Sequence, residues 1–133
     1  MSFKILAINP GSTSTKVAIF NDKECVFKKN IKHQVEDLAR FEKVSDQMTF
    51  RKDVIVNELK NENIDLSELD IVMGRGGLLR PITSGVYEVN DAMIRDLVNS
   101  PLGDHASNLG GLIANDIAKS LNIKAYIADP VVV

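Results

Sequence analysis

A short polar run near the N-terminus is the first group of residues whose types and spacing could do chemistry. Residues 9–15 comprise an asparagine, a proline, a glycine, two serines and two threonines, and Lys16 follows directly. Hydroxyls and backbone N–H groups that face one point, with an ammonium nearby, form a site for phosphate oxygens. Gly11 lets the backbone approach such a ligand closely. The run therefore predicts a phosphate-binding loop.

The apolar segments on either side indicate what kind of loop this is. Residues 5–8 and 17–20 are apolar throughout, which is typical of buried strands, so the loop joins the two strands of a hairpin. Gly11 and Lys16 resemble a Walker A loop, but the second glycine before the lysine is missing and β-formers follow instead of a helix. The residue types leave two alternatives open: a phosphate-binding hairpin, or a plain Ser/Thr-rich hairpin at a solvent-facing edge.

A second candidate region lies at residues 74–77, where three glycines surround Arg75. The apolar residues 71–73 predict a short buried strand, and open α/β sheets bind ligands just beyond the carboxyl ends of their strands. Glycines permit close backbone approach, and arginine presents a planar cation. We interpret the segment as a ligand loop that ordinary packing does not explain. The alternative is a loop that uses glycine for turns and leaves Arg75 in solvent.

A third region is residues 104–108, which open a helix. Apolar side chains at helical spacing predict its inner face: Leu109, Leu112, Ile113, Ile117 and Leu121. His105 and Asn108 lie about one turn apart at its N-terminal end, where the partial positive charge favours anions. Two roles are open for His105, as a capping residue or a catalytic one. Gly110 and Gly111 lower the helix propensity, which indicates that something approaches the helix closely there.

Asp129 follows the last apolar strand, which is predicted at residues 123–128. An aspartate at the carboxyl end of a strand is well placed to bind a metal ion or to activate a nucleophile. An Asx-type turn before Pro130 explains the residue equally well from spacing alone.

The elements between these regions predict an α/β fold. A turn at residues 21–23 and a strand at 24–31 complete an antiparallel meander, and a short strand is predicted at 86–89. Helices are predicted from residues 45–46 to 60 and from residues 90–91 to 98, each with an apolar side. In the first of these, that side carries Phe50, Val54, Ile55 and Leu59. The expected architecture is a mixed, roughly five-stranded sheet, antiparallel first and then parallel, flanked by helices.

Composition narrows the function classes. The chain has 133 residues, the size of one domain, with 44% hydrophobic and 26% charged residues and a net charge of −2. This charge gives no indication of nucleic acid or of an anionic membrane as partner. The single cysteine, Cys25, excludes an internal disulfide and is interpreted as a small packing residue, and His33 as a solvated surface residue. No apolar run reaches membrane-spanning length and no signal peptide precedes the first strand, so we expect a cytoplasmic protein.

Four motifs in order resemble the acetate and butyrate kinase family, and the butyrate kinase branch in particular. They are Ile-Asn-Pro-Gly-Ser-Thr-Ser-Thr-Lys at 8–16, Gly-Arg-Gly-Gly-Leu-Leu-Arg-Pro-Ile at 74–82, Gly-Asp-His-Ala-Ser-Asn-Leu-Gly at 103–110 and Ala-Asp-Pro-Val-Val-Val at 128–133. The resemblance runs from Lys4 to Val133. The ordered set makes it specific, whereas any single motif would be weak.

The resemblance implies an actin-like ATPase (ribonuclease H-like) fold. It also implies a kinase that uses ATP and Mg²⁺ to phosphorylate a short-chain carboxylate, butyrate or a branched-chain acid, giving an acyl phosphate. The phosphate loop of the family matches six residues here: Asn9, Gly11, Ser12, Thr13, Ser14 and Lys16.

The resemblance also assigns the remaining site residues. Asn9 and Asp129 match the metal side of the site, and His105 matches a histidine of the active-site cleft. Arg75 is the first choice for the arginine that contacts the substrate and the phosphoryl oxygens, and Arg80 is held in reserve. Asn108 is a second reserve residue on the substrate side.

Because the family has two domains, the resemblance implies that residues 1–133 form the N-terminal one and that the C-terminal domain lies outside this chain. The chain alone is expected to fold but not to turn over, since phosphoryl transfer needs both walls of a cleft. The complete protein is expected to form a homo-oligomer. The alternative function is a non-catalytic actin-like module that binds nucleotide or a partner. The acyl-chain length is left open.

Overall fold

The structure is a computed structural model that describes residues 3–75, 78–79, 86–99, 108–128 and 131–132. Its strands are β1 (Lys4–Pro10), β2 (Ser14–Asn21), β3 (Glu24–Lys32), β4 (Ile71–Arg75), β5 (Leu78–Leu79), β6 (Val86–Glu88), β7 (Lys124–Ala128) and β8 (Val131–Val132). Its helices are α1 (Val35–Ala39), α2 (Met48–Asn61), α3 (Asp91–Asn99) and α4 (Leu109–Leu121), with short 3₁₀ turns at Val44–Gln47 and Leu66–Glu68.

Within the described ranges, the main sheet has six strands in the order β3-β2-β1-β4-β7-β6. The strands β1, β2 and β3 are antiparallel neighbours, β4 pairs in parallel with both β1 and β7, and β6 closes the edge antiparallel to β7. The predicted mixed sheet is therefore confirmed, and the sixth strand is the short one expected near residues 86–89. A separate parallel pair is formed by β5 and β8.

The two faces of the sheet differ in what covers them. Leu6 and Ile8 alternate with Ala7 and Asn9 along β1, as strand geometry requires. Leu6 and Ile8 belong to one core cluster with residues of α2 and α4, including Ile55 and Ile113. Among the described residues, no helix covers the face that carries Ala7 and Asn9, which we call the open face. Asn9 and its neighbours on this face are therefore not covered by a helix of the described chain.

The glycines of β4 and α4 are explained by packing, contrary to the expectation for Gly74. A Cβ at Gly74 would overlap the backbone of Gly110, and a Cβ at Gly110 would lie 2.5 Å from the Arg75 carbonyl oxygen. A Cβ at Gly111 would lie 2.8 Å from side-chain atoms of both Ile127 and Leu97. The close approach predicted at 110–111 is confirmed, and Gly74 is the other half of the same helix–strand contact. Gly76 and Gly77 lie outside the described residues.

The structure corrects the interpretation of two residues and the start of one helix. His33 is buried, with 9% of its surface exposed, and packs against Phe50 instead of standing in solvent. Cys25 is exposed on the edge strand β3 instead of filling a packing position. The helix predicted from residues 45–46 begins as a 3₁₀ turn and becomes α2 only at Met48. No helix among the described residues is long and apolar enough to cross a membrane.

Candidate functional site

The hairpin between β1 and β2 closes more tightly than its sequence predicts. Antiparallel pairing continues to Pro10 opposite Thr15, so the connecting loop is only residues 11–13. Polar residues 9 and 14–16 belong to the strands because ladder hydrogen bonds use backbone groups, whatever the side chain. Asn9 and Lys16 consequently face each other across the ladder on the open face.

The four consecutive hydroxyls of the hairpin do not face one point. Ser12 and Thr13 are exposed at the loop, whereas Thr15 is fully buried on the opposite face of the sheet. The Thr15 hydroxyl lies 2.8 Å from Nε2 of His33 and accepts a hydrogen bond from Arg51 at 3.2 Å. Within the hairpin, only the hydroxyls of Ser12, Thr13 and Ser14 are therefore available to a ligand in solvent. Thr15 instead bonds to residues behind the loop.

The support behind the loop is made by Arg51 and His33. Arg51, on α2, donates hydrogen bonds to the carbonyl oxygens of Gly11, Ser12 and Ser14 at 2.7, 3.1 and 3.0 Å. Burial, together with the positive charge of Arg51, lowers the pKa of His33, and Asp37 opposes that shift. His33 is therefore held mainly as the neutral imidazole near pH 7, which avoids two adjacent buried cations.

A groove with a volume of about 450 Å³ lies on the open face beside the loop. Most of its lining comes from β1, β2 and β3, with Arg75 from the end of β4: Ala7, Asn9, Lys16, Ala18, Phe20, Lys28, Asn30 and Arg75. The described lining is largely apolar, and its polar members are cations and amides, with no aspartate or glutamate. The charged side chains that line the groove are all cations, so Lys16, Lys28 and Arg75 would attract an anion bound there.

Strand register explains why these groove residues lie together. Lys16 pairs with Asn9 on one side and with Asn30 on the other. Gly74 pairs with Ile8, so Arg75, the next residue of β4, stands level with Asn9. Arg75, Asn9, Lys16 and Asn30 thus form a polar row across four strands, at the ligand-binding edge expected for an open α/β sheet.

Several predicted site residues lie outside the described part of the chain. These are His105, Asp129 and Arg80, so the roles that the resemblance implies for them stay predictions. Asn108 is described and is 1% exposed at the start of α4, and its role on the substrate side stays a prediction. Among the described residues, no three His, Cys, Asp or Glu side chains cluster as metal ligands. Of the two residues proposed for the metal, only Asn9 can be placed, and it lines the groove.

Sequence reasoning missed Arg51, Lys28 and Asn30. Arg51 occupies the same buried stripe of α2 as Ile55 and Leu59, at intervals of four residues. The available signal was a single arginine among apolar residues on one side of a helix. A guanidinium buried there needs hydrogen-bond acceptors inside the protein. For Lys28 and Asn30 no such signal exists, since alternating polar residues on an edge strand look like ordinary solvated positions.

Comparison with known proteins agrees with the motifs. The chain is 53% identical over 131 residues to Butyrate kinase 1 of Clostridium acetobutylicum, covering 98% of this chain and 37% of that protein. It is 51% identical over 132 residues to a probable butyrate kinase of Clostridium botulinum, covering 99% of this chain and again 37% of the relative. The chain is similar to the butyrate kinases along its whole length. It spans little more than a third of the length of these relatives, and no protein-family model matches it.

Solved structures identify the fold. The acetate kinase of Porphyromonas gingivalis superposes with a TM-score of 0.59 at 18% sequence identity, covering 95% of this chain and 37% of that one. At that identity the likeness establishes the fold alone, and the fold is that of the actin-like ATPases. The predicted fold class is confirmed.

Proposed function

We propose that this butyrate kinase-like chain forms one wall of the active site of a carboxylate kinase, which transfers the γ-phosphoryl group of ATP to a short-chain carboxylate such as butyrate or a branched-chain acid. The observation that carries the proposal is the groove beside the hairpin loop, whose charged lining residues are all cations, in a chain similar to butyrate kinases over 98% of its length. Both substrates of such a reaction are anions, and the groove presents Lys16, Lys28 and Arg75 to them.

The groove residues fit the needs of this transfer. A carboxylate is already ionised at neutral pH and needs no strong base; its oxygen attacks the γ-phosphorus as the bond to ADP breaks. Arg75 would neutralise the equatorial phosphoryl oxygens with its planar cation. Lys16 and the exposed loop residues Ser12 and Thr13 would hold the phosphate chain through an ammonium, hydroxyls and backbone N–H groups.

The phosphate loop also fits a ligand at Gly11. A Cβ placed there would make only ordinary contacts, 3.5 Å from atoms of Ser14. The fold itself therefore does not require glycine at this position, whereas a ligand that approaches the backbone would. When bound, Mg²⁺ would neutralise phosphate charge, and Asn9 is the described residue whose amide oxygen could support it, with Asp129 as the proposed acidic partner.

The second wall would come from the rest of the protein. The relatives are much longer than this chain, and we propose that residues 1–133 act as the N-terminal domain of a two-domain kinase. The adenosine pocket then belongs to the other domain, and closure of the two would exclude water during transfer. The complete protein is proposed to form a homo-oligomer.

An acyl-hydroxamate assay on the full-length protein tests the proposal. Purified protein would be supplied with MgATP, hydroxylamine and one of acetate, butyrate or a branched-chain acid, with a reaction lacking the acid as control. We expect acyl hydroxamate to form with at least one of these acids, and the ranking to give the acyl-chain preference.

A matched pair of lysine variants links the activity to the groove. Lys16→Met removes a groove cation, whereas Lys23→Met removes an exposed cation from the turn after β2. Only the first should weaken the use of ATP. Binding of nucleotide without phosphorylation of any carboxylate would favour the alternative, a non-catalytic actin-like binding module.

A further inference from the structure

Arg51 is an unusual residue for the apolar side of a helix. Its side chain is fully buried, and among the described residues it forms no ion pair with a carboxylate. A buried guanidinium is costly unless its hydrogen-bonding groups are all satisfied. Burial also lowers its pKa from the ordinary value, although an arginine keeps its proton. The hydrogen bonds of the Arg51 guanidinium therefore indicate its role in the protein.

Four of the six hydrogen bonds that the structure describes for Arg51 are made to the hairpin. Nη1 donates to the carbonyl oxygens of Gly11 and Ser14 and to the hydroxyl of Thr15, and Nη2 donates to the carbonyl oxygen of Ser12 at 3.1 Å. Nε and Nη2 also donate to Oε1 of Gln47, one turn earlier, at 3.1 and 2.9 Å. Gln47 thus fixes the plane of the guanidinium, and the remaining donors reach the loop.

These bonds determine which way the loop peptides face. In a trans peptide the N–H points opposite to the C=O. Since Arg51 binds the carbonyl oxygens of Gly11 and Ser12, the N–H groups of Ser12 and Thr13 point away from it, toward the exposed side of the loop. Successive N–H groups that converge on one side form a concave anion-binding site.

A second clamp acts on the same loop. The N–H of His33 donates to the carbonyl oxygen of Thr13 at 2.9 Å, and the N–H of Gly11 donates to the carbonyl oxygen of Ser14 at 2.7 Å. Every carbonyl from Gly11 to Ser14 is therefore bound on the inner side. The loop has little freedom to rotate a peptide and place a carbonyl oxygen against a phosphate.

We propose that Arg51 is the positioning residue of the phosphate loop: its planar fork holds the loop carbonyls inward so that the Ser12 and Thr13 amides face the phosphate groups of the substrate. The inference rests on the proposed function, because it names how that site receives its phosphate ligand. A lysine could keep the charge but could not hold these acceptors at fixed angles.

Two variants of the full-length protein and one control separate positioning from general structural support. Arg51→Met removes the donors at similar size, and Arg51→Lys keeps the charge without the fork. Lys52→Met is the matched control, since Lys52 is the next residue of α2 and pairs with Asp116 at 2.6 Å instead of contacting the loop. Steady-state kinetics would be measured with MgATP and with the carboxylate varied in turn.

We expect kcat/KM for ATP to fall about 10²-fold in Arg51→Met and by a smaller but clear factor in Arg51→Lys, because misplacing a binding group by about 1 Å costs this much. The KM of the carboxylate should stay within about twofold, since the loop faces phosphate oxygens. Lys52→Met should behave as wild type. A merely structural role would instead lower the amount of active protein and change both substrates alike.

Wild-type kinetics in Arg51→Lys would overturn the proposal, as would an equal loss for ATP and carboxylate. If Arg51→Met fails to fold, Arg51→Lys decides alone. If the wild-type protein phosphorylates no carboxylate, the proposed function has failed, but calorimetric titration with MgATP still tests the role of Arg51. Weaker MgATP binding by Arg51→Lys than by wild type would support that role. Equal binding would overturn it.

Discussion

In the hairpin loop, Gly11 has ordinary space around it, whereas Gly74 and Gly110 at the contact of β4 with α4 have none. From the sequence, both Gly11 and Gly74 predict ligand loops, because Lys16 follows the first loop and Arg75 follows Gly74 directly. In the structure, a Cβ at Gly74 would overlap the backbone of α4, and one at Gly11 would touch only Ser14. A glycine required by packing and a glycine available to a ligand are thus distinguished by what already occupies the space where a side chain would go.

The same difference separates neighbours within β4. Gly74 is buried against α4, and Arg75, the next residue, is exposed and lines the groove. Because side chains alternate along a strand, one residue can set the distance to the helix while the next faces the ligand. The packing of Gly74 against α4 therefore helps to fix the position of Arg75 in the groove.

Arg75→Ala should have the largest effect, and on rate alone. Loss of a planar cation from the phosphoryl oxygens is expected to lower turnover on the order of 10³-fold, about 4 kcal/mol in activation free energy. Arg75 is exposed, so the free energy of unfolding should change little. Steady-state kinetics checks the turnover and urea denaturation checks the free energy of unfolding. The control is Arg95→Ala, which removes an exposed cation from α3. If Arg75→Ala is near wild type while Arg80→Ala is inactive, our choice between the two arginines is wrong.

Gly74→Ala should have the opposite character, a loss of stability. The new methyl group meets the backbone of Gly110, which cannot rotate away as a side chain could. We expect the free energy of unfolding to fall by roughly 3 kcal/mol, or the protein to fail to fold. Urea denaturation gives the value. A variant as stable as wild type would show that α4 can shift outward freely and that the comparison with Gly11 does not hold.

Gly11→Ala should fold normally and bind phosphate less well. Space exists for the methyl group, so stability should stay within about 0.5 kcal/mol of wild type. A ligand that approaches the backbone would collide with it, and we expect KM for ATP to rise by about tenfold. Unchanged kinetics would mean that no ligand reaches Gly11, leaving only the loop amides and hydroxyls as the phosphate contacts.

The smallest expected effect is a pH dependence from His33. Burial and the Arg51 charge lower its pKa, so below about pH 6.5 the unfolded chain binds a proton that the native protein resists. The free energy of unfolding should therefore fall as the pH drops from about 6.5 toward the lowered native pKa, and level off beneath it. Denaturation midpoints of wild type and His33→Gln, measured across this range, should diverge in acid. Parallel curves would show that His33 is not buried beside Arg51.

The sequence by itself determined the order and type of the elements. Apolar runs and turn residues predict the meander and the later strands, and the ordered motifs predict the fold that the superposition confirms. These features are local: an all-apolar run or a glycine pair in a helix needs only neighbouring residues to be interpreted.

Only the tertiary structure decided which other residues each residue contacts. Gly74 is required by its contact with α4 and not by a ligand. Thr15 forms hydrogen bonds with Arg51 and His33 behind the loop. Asn30 lies beside Lys16 on the open face. Arg51 lies 40 positions along the chain from Gly11, in the loop that it holds. Such contacts depend on register and on helix–sheet distance, which are set when the core closes and leave no local pattern in the chain.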